Sequence, residues 1–78
     1  MNNQERWECD GTIRLAFATG NPKFAGAADE FMRKRGLDAE AITERVRCAV
    51  PHADPNDWLD LLAMYDAACG PFRPGRPR

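Results

Sequence analysis

Polar and apolar residues alternate twice near the N-terminus, in residues 6–9 and again in residues 12–17. Asp10-Gly11 separates the two runs, and Asp-Gly between alternating runs is a strong signal for a two-residue turn because glycine adopts positive φ without a Cβ penalty. The pattern therefore predicts a β-hairpin over about residues 6–18. The side chains that would share the inner face of its second strand are Ile13, Leu15 and Phe17. Two strands alone are not stable in water, so we expect this face to pack against helices.

After Gly20 the apolar residues recur at i, i+3, i+4 and i+7, which is the spacing of an amphipathic helix. This spacing predicts three helices, over about residues 22–35, 39–50 and 55–69. A residue that caps helix N-termini well precedes each of them: Asn21, Asp38 and Asp54. Residues 1–70 are thus predicted to form one α+β domain, an N-terminal β-hairpin packed against three α-helices.

Charge is unevenly distributed along the chain. It has 11 basic and 12 acidic residues, for a net charge of −1. The last eight residues, 71–78, contain three arginines, three prolines and no acid, and we expect a disordered basic tail there. Removing those three arginines leaves eight basic against 12 acidic residues, so the net charge of residues 1–70 is −4. A mildly acidic body argues against nonspecific binding to nucleic acid.

The sequence contains no run of about 18 apolar residues, and it opens with Met-Asn-Asn-Gln-Glu, which is unlike a signal peptide. We therefore expect a cytoplasmic protein. Its three cysteines are an odd number that does not suit a closed disulfide framework, so free thiols are expected.

Few residues suit catalysis. Serine is absent, and His52 is the one histidine. A Cys–His pair would need Cys9, Cys48 or Cys69 beside it, and Pro51 interrupts the helix between Cys48 and His52. Three cysteines and one histidine match the ligand count of a structural zinc site, but their spacing lacks the close pairs that such sites usually have. The residues that could bind a metal are Cys9, Cys48, His52 and Cys69. We expect no enzyme activity, no cofactor and no metal.

One alternative is DNA binding by a helix-turn-helix, formed by the first two predicted helices and the turn at residues 35–38. With Gly36 as the turn glycine, Leu37 and Ile42 fall at apolar positions of that motif. The sequence departs from the motif at three positions: Met32, Arg35 and Arg45. Two glutamates, Glu40 and Glu44, would also repel phosphates from the second helix.

Charged helix faces are the remaining candidates for function. The residues that we predict to bind a partner are Asp57, Asp60 and Asp66 on the third predicted helix and Arg33, Lys34 and Arg35 at the end of the first. An acidic face is complementary to a basic groove on another protein, and such complementarity speeds encounter and fixes register. The expected partner is a larger protein or protein complex, including one that itself binds nucleic acid. A second copy could also pair through the hairpin edge or through an exposed apolar part of the third helix.

In size and character the chain resembles the small inhibitors made by phages and mobile elements, of which anti-CRISPR proteins are the best-known group. The features that it shares with them are its 78 residues, its acidic body and its lack of catalytic groups. The resemblance covers no motif. It implies a steric mechanism, in which the protein binds a larger complex and blocks its nucleic-acid or effector site.

Overall fold

A computed structural model of the chain describes residues 2–69, except for the side chain of Cys69, and it is helical throughout. The four helices are α1 (Asn3–Thr19), α2 (Pro22–Lys34), α3 (Ala39–Ala49) and α4 (Pro55–Cys69). No strand is present in the described residues, so the predicted α+β fold with an N-terminal β-hairpin is wrong. The predicted disordered tail, residues 71–78, lies outside the described residues.

Helix α1 forms where the hairpin was predicted because both of its ends are capped. Asn2 Oδ1 accepts a hydrogen bond from the Glu5 backbone at 2.8 Å, and Glu5 Oε1 accepts one from the Asn2 backbone at 3.1 Å. This reciprocal capping box satisfies two backbone donors that a helix N-terminus leaves open. At the other end Gly20 is left-handed (φ 67°), and its N–H donates to the Ala16 carbonyl at 2.9 Å. Both caps favour a helix through the Asp-Gly dipeptide.

Burial along α1 follows a period of 3.6 residues, not the alternation that suggested strands. Cys9, Ile13 and Ala16 are buried, whereas Leu15, predicted to share a face with Ile13, is exposed. Gly11 lies in mid-helix with negative φ. A helix satisfies its own backbone groups, while an isolated hairpin leaves two edges unpaired. The helix therefore forms although glycine in its interior costs about 1 kcal/mol relative to alanine.

Helices α2, α3 and α4 lie within one residue of the predicted positions. Asn21 Oδ1 accepts from the Lys23 backbone at 3.0 Å, and Asp38 Oδ1 accepts from the Ala41 backbone at 2.8 Å. Gly36, in the turn after α2, has a φ of 87° that favours glycine. The two polar N-caps and the glycine that follows α2 therefore have the roles that the sequence predicts.

The helices occupy the corners of a quadrilateral. Helix α1 packs against α2 and α3, and α4 packs against the same two helices from the opposite corner. Helices α1 and α4 also touch across the middle, whereas α2 and α3 pack least against each other. Four alanines lie in the core between the helices, so the helices approach closely, and Trp58 is the largest fully buried side chain.

Two ion pairs join helices that are distant in sequence. Arg45 Nη2 donates to both Asp10 oxygens, at 2.7 and 2.8 Å, and so links α3 to α1. Its hydrogen bond with Asp10 raises the pKa of Arg45. Arg35 Nε donates to Glu5 Oε2 at 2.7 Å and ties the end of α2 to the start of α1. The pKa of Glu5 is lowered, first by the hydrogen bond from the Asn2 backbone and then by the one from Arg35.

Candidate protein-binding site

Helix α4 carries large apolar side chains on two opposite sides. Trp58 and Leu61 are buried in the core. Leu59 is 56% exposed and Met64 is 52% exposed, although the sequence pattern placed both in the inward stripe. A helix that is apolar on both sides is typically covered on both sides. The outward side of α4 is therefore a candidate binding surface.

This surface, the α4 outer face, consists of six of the exposed residues of the helix: Asp57, Leu59, Asp60, Ala63, Met64 and Ala67. At about 100° per residue, the two alanines lie between Leu59 and Met64. Asp57 and Asp60 lie on the Met64 side. In angular order the face runs Leu59, Ala63, Ala67, Asp60, Met64 and Asp57. It is thus apolar on its Leu59 side, whereas the two acids flank Met64 on the other side.

The three predicted acidic residues do not form one cluster. Asp57 and Asp60 are exposed on the same side of α4, as expected from their spacing. Asp66 is half-buried, and its position on the helix is about 180° from that of Asp57. The structure therefore assigns two of the three aspartates to the α4 outer face.

Two of the three predicted basic residues are engaged within the fold. Arg33 Nε donates to Oδ2 of the buried Asp29 at 3.0 Å. Arg35 pairs with Glu5 and also stacks over the Phe31 ring, 3.6 Å from its centroid. Lys34 is exposed. Because Arg33 and Arg35 neutralise carboxylates of their own chain, this cluster is less available to a partner than its sequence suggests.

The cysteines differ in environment. Cys9 is buried between α1 and α2, and burial, followed by the charge of Asp10, raises the pKa of its thiol. Cys48 is an exposed free thiol on α3. Among the described residues, no three His, Cys, Asp or Glu side chains converge on a point where a metal could bind. The side chain of Cys69 lies outside the described part of the chain.

We predict that Cys9 resists alkylation in the native protein, because only the exposed thiolate reacts and burial disfavours that form. In a Cys48→Ala/Cys69→Ala variant, Cys9 is the one remaining thiol. Ellman titration of this variant should give no thiol in buffer and one in guanidinium chloride. The Cys9→Ala/Cys69→Ala variant is the matched control, and its Cys48 should react at once. Rapid native labelling of Cys9 would contradict its placement in the core.

The helix-turn-helix alternative depends on α2 and α3 packing against each other, since the motif positions its second helix through that contact. These two helices lie at opposite corners of the fold. Arg45, at a motif core position, is held by Asp10 on α1 instead. Glu40 and Glu44 are exposed on α3, where they would face phosphates. These observations argue against a helix-turn-helix in this fold.

Comparison of the chain with protein-family models, with curated proteins and with solved structures finds no match. Within residues 2–69, none of the four helices combines the length and the apolar character that crossing a bilayer requires.

Sequence reasoning missed the exposure of Leu59 and Met64. The signal was present, because residues 61–65 contain no charged residue and apolar side chains fall at every angle around this part of α4. One side of a helix is enough to fill a small core. The apolar side chains on the other side of α4, Leu59 and Met64, are therefore left exposed on the surface.

Proposed function

We propose that this protein is a small non-enzymatic protein-binding module that acts as an inhibitor or regulator, and that the α4 outer face is its docking surface. The observation that carries the proposal is the exposure of Leu59 and Met64 beside two exposed aspartates, Asp57 and Asp60. A protein interface typically combines desolvated apolar anchors with a charged border. The α4 outer face has both parts on one rigid helix.

The charge of this face indicates the chemistry of the partner. Two aspartates that flank Met64 favour a basic surface and disfavour an acidic one. Two copies of the face would oppose like charges, so it is not suited to self-association. The best fit is a groove of a larger protein complex that has basic residues beside apolar ones, as in a site that holds nucleic acid.

The mechanism that follows is steric. A helix seated in such a groove excludes the phosphates or the effector that the groove normally holds. This is the mode expected of an inhibitor of the anti-CRISPR type acting in the cytoplasm. It requires no cofactor, and the proposal assigns no catalytic role to any residue.

Charge reversal on the α4 outer face tests the proposal. The Asp57→Lys/Asp60→Lys variant should capture the partner from extracts of a host with intact defence systems at least about tenfold less well than the wild type. Asp57 lies in the first turn of α4, as Glu40 does in α3, so lysine at either position opposes the helix dipole, and the melting temperature should fall slightly and to a similar extent in this variant and in the control below. Partners are quantified by mass spectrometry, and binding is then measured with the purified partner.

The matched control is Glu40→Lys/Glu44→Lys, which makes the same change in net charge on the exposed side of α3. This control should bind as the wild type does. If both variants lose the partner equally, the effect is net charge and the α4 site is wrong. If neither does, the docking surface lies elsewhere.

DNA binding by a helix-turn-helix-like regulator is the alternative function. A mobility shift with random duplex at low salt decides it, because phosphate contacts strengthen as salt falls. We expect no shift at micromolar protein. A shift that Arg33→Ala or Lys34→Ala weakens would instead support the helix-turn-helix function.

A further inference from the structure

Helix α1 has an exposed face on the side opposite the core. Trp7 is 75% exposed and Leu15 is 48% exposed, and Gly11 lies between them at i+4. Their neighbours Glu8, Thr12 and Arg14 complete an open groove along the helix. We call these six residues the α1 outer face. It is the second place in the described residues where large apolar side chains are exposed.

Gly11 has no role in the monomer that would require glycine. Its φ is not positive, and a Cβ built on it would meet no atom within 4 Å. Glycine in a helix interior is nevertheless less favourable than alanine. The missing side chain leaves the backbone of α1 open to close approach by another helix, between the Trp7 and Leu15 side chains.

The α1 outer face is symmetric about Gly11. Gly11 is the midpoint of α1, which runs Asn3–Thr19. In an antiparallel pair of α1 helices that cross at Gly11, residues whose numbers sum to 22 lie at the same level. Trp7 of one copy then lies opposite Leu15 of the other, and the same contact recurs on the other side of the two-fold axis. A two-fold interface requires this kind of self-complementary patch.

One charge of the face fits the same arrangement. At about 100° per residue Arg14 lies on the Trp7 edge of the face and Glu8 on the Leu15 edge, so the antiparallel pair brings Arg14 of one copy close to the level of Trp7 of the other. Arg14 lies on the same side of α1 as Trp7, where its guanidinium can stack on the partner's indole. Arg14 Nε donates to the Ala49 carbonyl at 3.4 Å, which holds that side chain at the edge of the face.

We propose that two copies of this chain associate through the α1 outer face, antiparallel about a two-fold axis at Gly11. Arg14, placed to stack on the other copy's Trp7, distinguishes this face from the α4 outer face, which carries acid alone and suits a different partner. The proposal does not depend on the proposed function. The pairing does not involve the α4 outer face, so the two proposals are tested by separate experiments.

The test is sedimentation velocity of the full chain over a concentration series. The wild type should show a monomer–dimer equilibrium. Trp7→Ala and Gly11→Leu should each weaken the dimer at least about tenfold, because one removes the anchor and the other fills the groove. Leu59→Ala, which removes an exposed leucine from α4, is the matched control and should dimerise normally.

Gly11→Ala separates loss of association from loss of folding. At concentrations where the wild type is monomeric, this variant should melt at the same or a higher temperature, since its Cβ fits the monomer and favours the helix. At high concentration it should dimerise less. A wild type that is monomeric throughout overturns the proposal. A dimer that withstands Gly11→Leu, or one that only Leu59→Ala weakens, also overturns it.

Discussion

Replacement of Trp58 by alanine is expected to remove most of the protein's free energy of unfolding at 25 °C. Trp58 is 2% exposed and is the largest fully buried side chain, and its ring lies 6.1 Å from that of Phe17 in a stacked arrangement. Truncating a buried tryptophan costs about 3–5 kcal/mol. A whole domain has only about 5–15 kcal/mol, and small domains lie near the lower limit. Urea denaturation followed by far-UV circular dichroism measures the loss.

Trp58→Phe is the matched control for this prediction. Trp58 Nε1 has no hydrogen-bond partner among the described residues, so phenylalanine removes no hydrogen bond from that part of the chain. It also retains an aromatic ring against Phe17. The urea midpoint of Trp58→Phe should therefore stay much closer to that of the wild type. Equal losses in the two variants would mean that the indole itself, and not buried apolar area, is required.

The second large effect is expected at Gly26. This glycine is buried in α2, and a Cβ added to it would lie 2.5 Å from three ring atoms of Tyr65 on α4. Gly26→Ala should therefore destabilise the protein by about 1–3 kcal/mol, the usual cost of overpacking. Gly11→Ala is the same change in α1, where there is space, and it should stabilise the monomer by about 0.4–1 kcal/mol. The two measurements at low protein concentration should have opposite signs.

A double-mutant cycle identifies the cause of the Gly26 effect. In a Tyr65→Ala background the ring atoms that the Cβ meets, Cγ included, are gone, and the cost of Gly26→Ala should fall sharply. Residues in direct contact show coupling of about 0.5–3 kcal/mol in such cycles. If Gly26→Ala costs the same in both backgrounds, the close approach of α2 to the Tyr65 ring is not what requires glycine.

The sequence predicts α2, α3 and α4 well because their signals are local. Asn21 and Asp38 cap helices as expected, and Gly36 ends one with positive φ. The prediction for α1 was wrong because Asp10-Gly11 favours a turn by its local pattern, whereas in this fold both residues lie in the middle of a helix. In the structure Asp10 is held by Arg45 of α3, which is 35 residues away. No local pattern reveals that contact.

The candidate site could be predicted only in part, for a related reason. The exposure of Asp57 and Asp60 follows from helical spacing, and it was expected. The engagement of Arg35 could not be anticipated, because its partner Glu5 lies at the start of α1, just before the predicted hairpin, where no helix was expected. The apolar half of the α4 outer face was likewise assigned to the core, since spacing alone does not say how much of a wide stripe the other helices cover.

The position of Trp58 and Tyr65 on the last helix has a consequence for synthesis of the protein on the ribosome. Both side chains pack against earlier helices, Trp58 against Phe17 of α1 and Tyr65 against Gly26 of α2. While α4 is still being translated, the nascent chain lacks its largest core side chain and exposes the alanine-rich surfaces of α1, α2 and α3. Folding should therefore be completed only after residues 55–69 emerge, as one late cooperative step.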